Sequence, residues 1–247
     1  MNYWNVPVVF FIQMHVDGAY NRDLPIFKKR DEIIEAVRCH QVVIVAGETG
    51  CGKTTQLPFM CFEAAKAGRI AVTQPRRIAA ISLARYLSGV LPGAPPGTIG
   101  YKVRFQETVN SATRIAFVTD GVILAETNAD RLLRRYGAII IDEAHERTVP
   151  IDFLLGYMRV VLPQRPELRV IIASATLDTK LFSRSFFNAP VITVSGRRYP
   201  VEVRWEPVIG LWRGSAMRSH VDGVIHAVRS ILDTGDPGDI LAFLPTV

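Results

Sequence analysis

A glycine-rich turn near residue 50 restricts the possible folds of this chain more than any other feature. The stretch VAGETGCGKTTQLP contains Gly47, Gly52, Lys53 and Thr54 at the spacing G-x-x-x-x-G-K-[ST]. Backbone N–H groups of such a turn surround an anion when a buried strand leads into it and a helix leaves it. The apolar residues 42–46 predict that strand, and the residues from Thr54 onward predict that helix. We therefore expect a phosphate-binding loop at the edge of a sheet.

Apolar runs of strand length recur along the chain and are rich in valine and isoleucine. They lie at residues 42–46, 69–73, 114–119, 138–141, 170–173 and 191–194. Such runs are typical of parallel strands that are buried on both faces. Because the segments between them are long enough for crossover helices, the sequence predicts an α/β fold with a mainly parallel central sheet flanked by helices.

The pattern changes after Pro200. Residues 201–207 alternate like a half-exposed strand, a helix is predicted around 221–232, and residues 240–245 indicate one more buried strand. We predict an unassigned leader over 1–18, a nucleotide-binding domain over 19–200, and a linker with the truncated start of a second domain over 201–247.

Composition gives weak indications of the partner and the compartment. Lysine and arginine number 29 against 23 acidic residues, and this basic surplus is compatible with a polyanionic partner. The three cysteines have no metal-ligand spacing, and their odd number favours a reducing compartment. The apolar N-terminal stretch VPVVFFIQM is too short to span a bilayer and lacks the features of a signal peptide. We expect a cytoplasmic protein without a membrane segment.

The phosphate loop supplies the candidate nucleotide contacts. Lys53 would reach the β- and γ-phosphates, and the Thr54 hydroxyl would ligate Mg²⁺. The full candidate set is Gly47, Glu48, Thr49, Gly50, Cys51, Gly52, Lys53, Thr54 and Thr55.

A second acidic element completes the expected site. In GAIIIDEAHER, three isoleucines lead directly into Asp142 and Glu143. Asp142 would hold the Mg²⁺ beside Thr54, and Glu143, also a candidate metal residue, would act as the base or orient the attacking water. Lys53, Glu143 and His145 are the candidate catalytic residues. Acidic residues at a strand end can also simply cap the next helix, and a histidine there can be purely structural.

Six sequence blocks carry a family resemblance. GETGCGKTTQLP, TQPRRIAAISLA, IGYKVRF, TDGVILAE, IIIDEAHER and SATLD follow one another in order. Over residues 24–245 the chain resembles the DEAH-box ATP-dependent RNA helicases of the bacterial HrpA type. The resemblance implies two RecA-like domains, with ATP and Mg²⁺ bound between them and single-stranded RNA across both. DNA stays possible as the strand, and no protein partner is indicated. Residues 19–200 would form the first RecA-like domain.

The resemblance assigns roles to further residues. Arg76 and Arg77 would contact the nucleic-acid backbone, as guanidinium groups suit phosphate oxygens. Thr119, Asp120 and Gly121 would form a second backbone contact, although Thr119 or Asp120 could instead be an ordinary helix N-cap. The block SAT, Ser174, Ala175 and Thr176, would couple hydrolysis to strand separation; a plain polar turn is the alternative.

The chain also departs from the family pattern. At Tyr86 the family usually has an arginine that stacks on the nucleotide base, and here Arg85 lies one residue early. Either Tyr86 stacks instead, or the register shifts locally, or Tyr86 simply packs against the domain surface. The arginine-finger block of a second domain is absent, so we expect weak or no hydrolysis by this polypeptide alone. A non-catalytic nucleotide- or RNA-binding module is the alternative function. A P-loop ATPase that acts on something other than nucleic acid is disfavoured by TQPRR and TDG.

Overall fold

The structure is a computed structural model that describes residues 17–64, 68–91, 93–175, 179–196, 202–205, 211–212, 215–216, 220–235 and 238–244. The chain divides into two units, Met1–Arg198 and Tyr199–Val247. Within the described ranges, no helix combines the length and apolar character needed to cross a bilayer.

The first unit is built on one sheet of eight strands. The strands are β1 (Val42–Gly47), β2 (Arg69–Gln74), β3 (Ile99–Val103), β4 (Gln106–Glu107), β5 (Ile115–Thr119), β6 (Tyr136–Ile141), β7 (Arg169–Ser174) and β8 (Val191–Val194). The helices described with them are α1 (Arg30–Cys39), α2 (Lys53–Ala64), α3 (Arg77–Val90), α4 (Asp120–Glu126), α5 (Val149–Val161) and α6 (Thr179–Ser185). Short 3-10 turns occur at Asp17–Ala19, Pro25–Lys29, Ala144–Glu146 and Leu162–Gln164.

The strands follow the order β4-β3-β5-β2-β6-β7-β1-β8. Every neighbouring pair is parallel except β3 and β4, which form an antiparallel edge. The predicted α/β class and all six predicted strands are confirmed. The sequence analysis missed β3 and β4, because Gly100 and Lys102 interrupt the apolar run in the first and the second has only two residues.

Alternate residues of the strands face two separate cores. Val43 and Val45 of β1 point to the core beneath α1, α2 and α3, whereas Val42 and Ile44 point to the core beneath α4, α5 and α6. This division follows from the two-residue repeat of an extended chain. Both faces of the sheet are therefore covered.

Residues 20–30, the bracing segment, pack against the glycine-rich loop and α2. The Ile26 N–H donates to the Cys51 carbonyl at 3.1 Å, and the Asn21 N–H donates to Gln56 Oε1 at 3.0 Å. Further back, Glu63 on α2 accepts hydrogen bonds from both the Tyr20 hydroxyl and the Arg30 guanidinium. These contacts fix the loop and the start of α2 in one orientation.

The second unit contains less regular structure in its described residues. It holds an antiparallel pair, β9 (Leu211–Trp212) and β10 (Ser215–Ala216), and one helix, α7 (His220–Thr234). The helix expected around 221–232 is confirmed. The strands predicted over 201–207 and 240–245 are wrong for the residues described. Residues 202–205 and 240–244 form no strand, and 240–244 are exposed. Apolar and alternating runs become strands only where another strand accepts their backbone hydrogen bonds, and none of the described strands lies beside them.

Candidate nucleotide and nucleic-acid site

The carboxyl edge of the sheet collects every element predicted to carry chemistry. In sheet order, the glycine-rich loop follows β1, Ser174 ends β7, Asp142 follows β6, Gln74 ends β2, and Thr119 ends β5. Parallel strands bring all these ends to one edge, where ligands bind in open α/β sheets. Strand order therefore puts the Asp142 segment between the loop and the Arg76 segment.

The loop needs its glycines for space and for backbone conformation. Gly50 and Gly52 have φ of +83° and +100°, values that L-residues rarely adopt. A Cβ at Gly47 would lie 2.9 Å from Cys51 Sγ and from the Val194 carbonyl oxygen. All nine candidate nucleotide contacts lie between the end of β1 and the first turn of α2.

Lys53 lies inside this loop. Its ammonium donates to the Gly47 carbonyl and to the Glu48 carbonyl, the latter at 3.1 Å, and lies 3.7 Å from Cys51 Sγ. The side chain is buried. The ammonium is thus held among backbone groups of the loop.

Thr54 and Asp142 are in direct contact. The Thr54 hydroxyl donates to Asp142 Oδ2 at 2.6 Å, and Gln74 Nε2 donates to the same oxygen at 2.8 Å. The other oxygen, Oδ1, accepts from the Glu143 N–H at 2.9 Å. Asp142 is completely buried. The sequence analysis missed Gln74, although it ends β2 next to TQPRR; its polar side chain on a buried strand was the available signal.

Glu143 borders the same cavity as the loop residues Lys53 and Thr54. Its backbone is in the left-handed region, with φ of +50°, which turns the chain sharply after β6. Burial, and secondarily the neighbouring Asp142 carboxylate, raise the pKa of Glu143, while His145 and Lys53 oppose the rise. A carboxylate whose pKa is raised toward neutrality is a better proton acceptor.

A cavity of about 340 Å³ opens over the loop. Lys53, Thr54 and Glu143 line one part of it, and Tyr86 and Asn21 line another. Tyr86 is 56% exposed. Tyr86 therefore borders the cavity and is partly open to solvent, which is compatible with stacking on a base.

His145 lies between Glu143 and the end of β7. Its Nδ1 accepts from the Ala175 N–H at 3.2 Å and lies 3.3 Å from Glu143 Oε2. The first contact needs a lone pair on Nδ1 and the second needs a proton there, so the two are alternative states of one nitrogen. Ser174 is buried at the end of β7; Thr176 lies outside the described residues.

The predicted nucleic-acid residues differ in their exposure. Arg76 and Arg77 are exposed at the start of α3, and Gly121 is exposed on α4. Thr119 occupies the N-cap position of α4, but its side chain makes no capping hydrogen bond. Asp120 is only 3% exposed, which leaves its carboxylate inaccessible to a strand on the surface in this conformation.

Asp120 belongs instead to a buried polar pair. Its Oδ1 and the Thr73 hydroxyl have no hydrogen-bond partner within the part of the chain that the structure describes. Burial raises the pKa of Asp120; the nearby Thr73 hydroxyl offsets part of the rise, and the charges of Glu146 and Asp142 add to it.

The sheet, its strand order and the phosphate loop define a P-loop NTPase domain of the RecA-like type. A family model described as DEAD/DEAH box helicase matches residues 28–183. The chain belongs to the DEAD/DEAH box helicase family.

Three relatives agree with this assignment. The chain is 51% identical over 228 residues to "ATP-dependent RNA helicase HrpA" of Escherichia coli (strain K12). It is 46% identical over 229 residues to an "ATP-dependent RNA helicase HrpA homolog" of Haemophilus influenzae. Each alignment covers 92% of this chain and 17% of the relative. The HrpA helicase of Borreliella burgdorferi is 42% identical over 224 residues, 90% of this chain and 27% of the relative. The chain thus spans between 17% and 27% of the length of these relatives.

Proposed function

We propose that this chain binds Mg²⁺-ATP in the loop cavity and single-stranded RNA beside it. In the whole protein, ATP hydrolysis there would drive strand separation. The observation that carries the proposal is the contact between Thr54 and Asp142, with Lys53 and Glu143 lining the same cavity. A phosphate loop, an ammonium and two carboxylates are among the parts that recur in phosphoryl transfer from a nucleoside triphosphate.

The residues present fit a magnesium ion. The Thr54 hydroxyl and an Asp142 oxygen lie 2.6 Å apart, so both hard oxygen donors reach one point. Among the described residues no cluster of three acidic, histidine or cysteine side chains could hold a metal alone. This agrees with Mg²⁺, which usually keeps waters and substrate phosphates as ligands. When bound, the ion would offset charge on the phosphates.

Glu143 is the proposed base. It would accept a proton from the water whose oxygen bonds to the γ-phosphorus while the bond to the bridging oxygen breaks. Its raised pKa suits this role, and Lys53 would stabilise the phosphate oxygens as negative charge shifts. His145 would link this proton transfer to the end of β7. Its Nδ1 contacts both Glu143 and the Ala175 N–H, and the contact with Glu143 depends on whether Nδ1 or the carboxylate holds a proton.

Arg76 and Arg77 are the proposed backbone contacts, with Thr119 and Gly121 beside them in sheet order. The four residues come from the ends of β2 and β5, which are neighbours. Contacts to phosphate position a strand without reading its sequence. RNA is proposed because the printed names of the relatives are those of RNA helicases.

Nucleotide titration tests the proposal. A fluorescent ATP analogue is titrated into wild type and Lys53→Ala, with and without a single-stranded RNA, in Mg²⁺. We expect binding by wild type and a loss of at least tenfold in Lys53→Ala, since a hydrogen-bonded charge contributes about 1.5–3 kcal/mol. If wild type and Lys53→Ala bind the analogue with equal affinity, the proposed phosphate contact of Lys53 is wrong.

Charge reversal tests the nucleic-acid surface. Arg76→Glu and Arg77→Glu should each weaken RNA binding without changing nucleotide affinity, and RNA binding should fall steeply with salt. Arg38→Glu on α1 is the matched control, because Arg38 is an exposed arginine that, like Arg76, lies beside a glutamate and has no proposed role. If both reversals leave RNA affinity unchanged, the proposed surface is wrong.

A further inference from the structure

Glu146 connects the two proposed sites through one short turn. Residues 143–147 form a 3-10 turn, Ala144–Glu146, between two left-handed residues, Glu143 and Arg147, with φ of +50° and +48°. The Glu146 N–H donates to the Glu143 carbonyl at 2.9 Å. Glu143 and Glu146 are therefore linked by a backbone hydrogen bond within one short turn.

The Glu146 side chain lies beside Arg76, whereas Glu143 lines the cavity over the loop. Its Oε1 lies 3.9 Å from Arg76 Nη2, across the gap between the β6 and β2 ends. The Arg76 side chain is 79% exposed in this pair. A guanidinium so exposed can exchange a carboxylate for a phosphate oxygen, since exposed ion pairs contribute little free energy.

Glu146 is thus close to both proposed sites. Its N–H bonds to Glu143, which lines the cavity over the loop, and its carboxylate lies beside Arg76 of the proposed RNA surface.

Resting on the proposed function, we infer that Glu146 is a positioning residue that competes with the nucleic-acid backbone for Arg76. A strand that takes Arg76 releases Glu146, and the turn carries this change to Glu143. Glu146 thereby makes nucleotide binding sensitive to the presence of RNA, without touching either ligand's reacting atoms.

A double-mutant cycle on the whole chain tests the competition. Wild type, Glu146→Gln, Arg76→Gln and the double variant are titrated with a labelled oligouridine of 12 nucleotides at low salt. Glu146→Gln should bind RNA about two- to fivefold more tightly, the range expected when an exposed ion pair no longer competes. In the Arg76→Gln background the same change should have almost no effect.

Glu35→Gln is the control for net charge. Glu35 is an exposed acidic residue 3.8 Å from Arg38, so its replacement removes a similar exposed pair on α1. We expect no change in RNA affinity. An equal gain in Glu35→Gln, or an additive cycle, would overturn the competition.

Coupling provides the second measurement. Mg²⁺-ATP affinity is measured for each variant with and without saturating oligouridine. The Mg²⁺-ATP affinity of wild type should change severalfold when oligouridine is added. The ratio of the two affinities should approach one in Glu146→Gln. An unchanged ratio in Glu146→Gln overturns the inference while leaving the proposed function intact. Absence of any RNA binding by wild type overturns both.

Discussion

The Thr54 hydroxyl donates to Asp142 Oδ2 at 2.6 Å, which joins the first turn of α2 to the end of β6 across 88 residues of sequence. This contact holds two oxygen atoms that could bind an ion next to each other. It follows from strand order, because only β7 separates β1 from β6. The site is therefore largely organised by the sheet, and its side chains need little rearrangement to share an ion.

Removing the Thr54 hydroxyl should remove the Mg²⁺-dependent part of nucleotide affinity. We expect Thr54→Ala to weaken ATP binding about tenfold or more in Mg²⁺ and little in EDTA, because one ion ligand is lost. Thr54→Ser keeps the hydroxyl and should bind normally. Titration of a fluorescent ATP analogue under both conditions measures this; equal losses in EDTA would contradict a metal role. Thr127→Ala, which deletes the same atoms at the end of α4, is the control.

Asp120→Asn should stabilise the protein at neutral pH. Burial raises the pKa of Asp120 above its ordinary value of 3.8, so the native state binds this proton more tightly than the unfolded state. Stability from this group is then fully present below 3.8 and declines as pH rises through the raised native pKa. Asparagine has no ionisable proton and so avoids this pH-dependent loss, and the new amide can donate to the Thr73 hydroxyl.

Thermal unfolding from pH 4 to pH 8 tests this prediction. The Tm of Asp120→Asn should exceed that of wild type by several degrees at pH 7 and approach it near pH 4. Asp23→Asn, an exposed carboxylate exchanged in the same way, should show no such trend. A variant that is less stable than wild type at pH 7 would show that the Asp120 charge has a stabilising partner.

Periodicity predicts buried strands well because both faces of this sheet are covered, so each strand is apolar along its length. The same rule fails at the edge strands β3 and β4, and at residues 202–205 and 240–244, where pairing depends on a neighbour that the pattern does not specify. The loop and the DEAH segment were predictable as motifs. Long-range polar contacts such as Gln74 to Asp142 and Arg76 to Glu146 were not, because they depend on which strand ends become neighbours.

Two glycine substitutions should have opposite effects on stability. Gly52 has φ of +100°, and a Cβ there would lie 2.9 Å from Leu24 Cδ1 and 3.0 Å from Ile26 Cγ2. Gly52→Ala should cost at least about 1–2 kcal/mol and weaken nucleotide binding. Gly89 lies in α3, and a Cβ there meets no atom within 4 Å. Gly89→Ala should stabilise by about 0.5–1 kcal/mol. Urea unfolding measures both; a stable Gly52→Ala would mean that the bracing segment moves aside easily.

Tyr86 should contribute to nucleotide affinity by stacking on the base. Its ring is exposed in the cavity that also contains Lys53, and stacking of this kind contributes about 1–3 kcal/mol. We expect Tyr86→Ala to weaken binding of ATP about five- to a hundredfold and Tyr86→Phe to retain it. Because a ring face does not distinguish hydrogen-bonding edges, GTP should lose affinity in the same proportion. Arg85→Ala separates the alternatives: if Arg85 rather than Tyr86 stacks on the base, the loss should appear in Arg85→Ala and be absent from Tyr86→Ala.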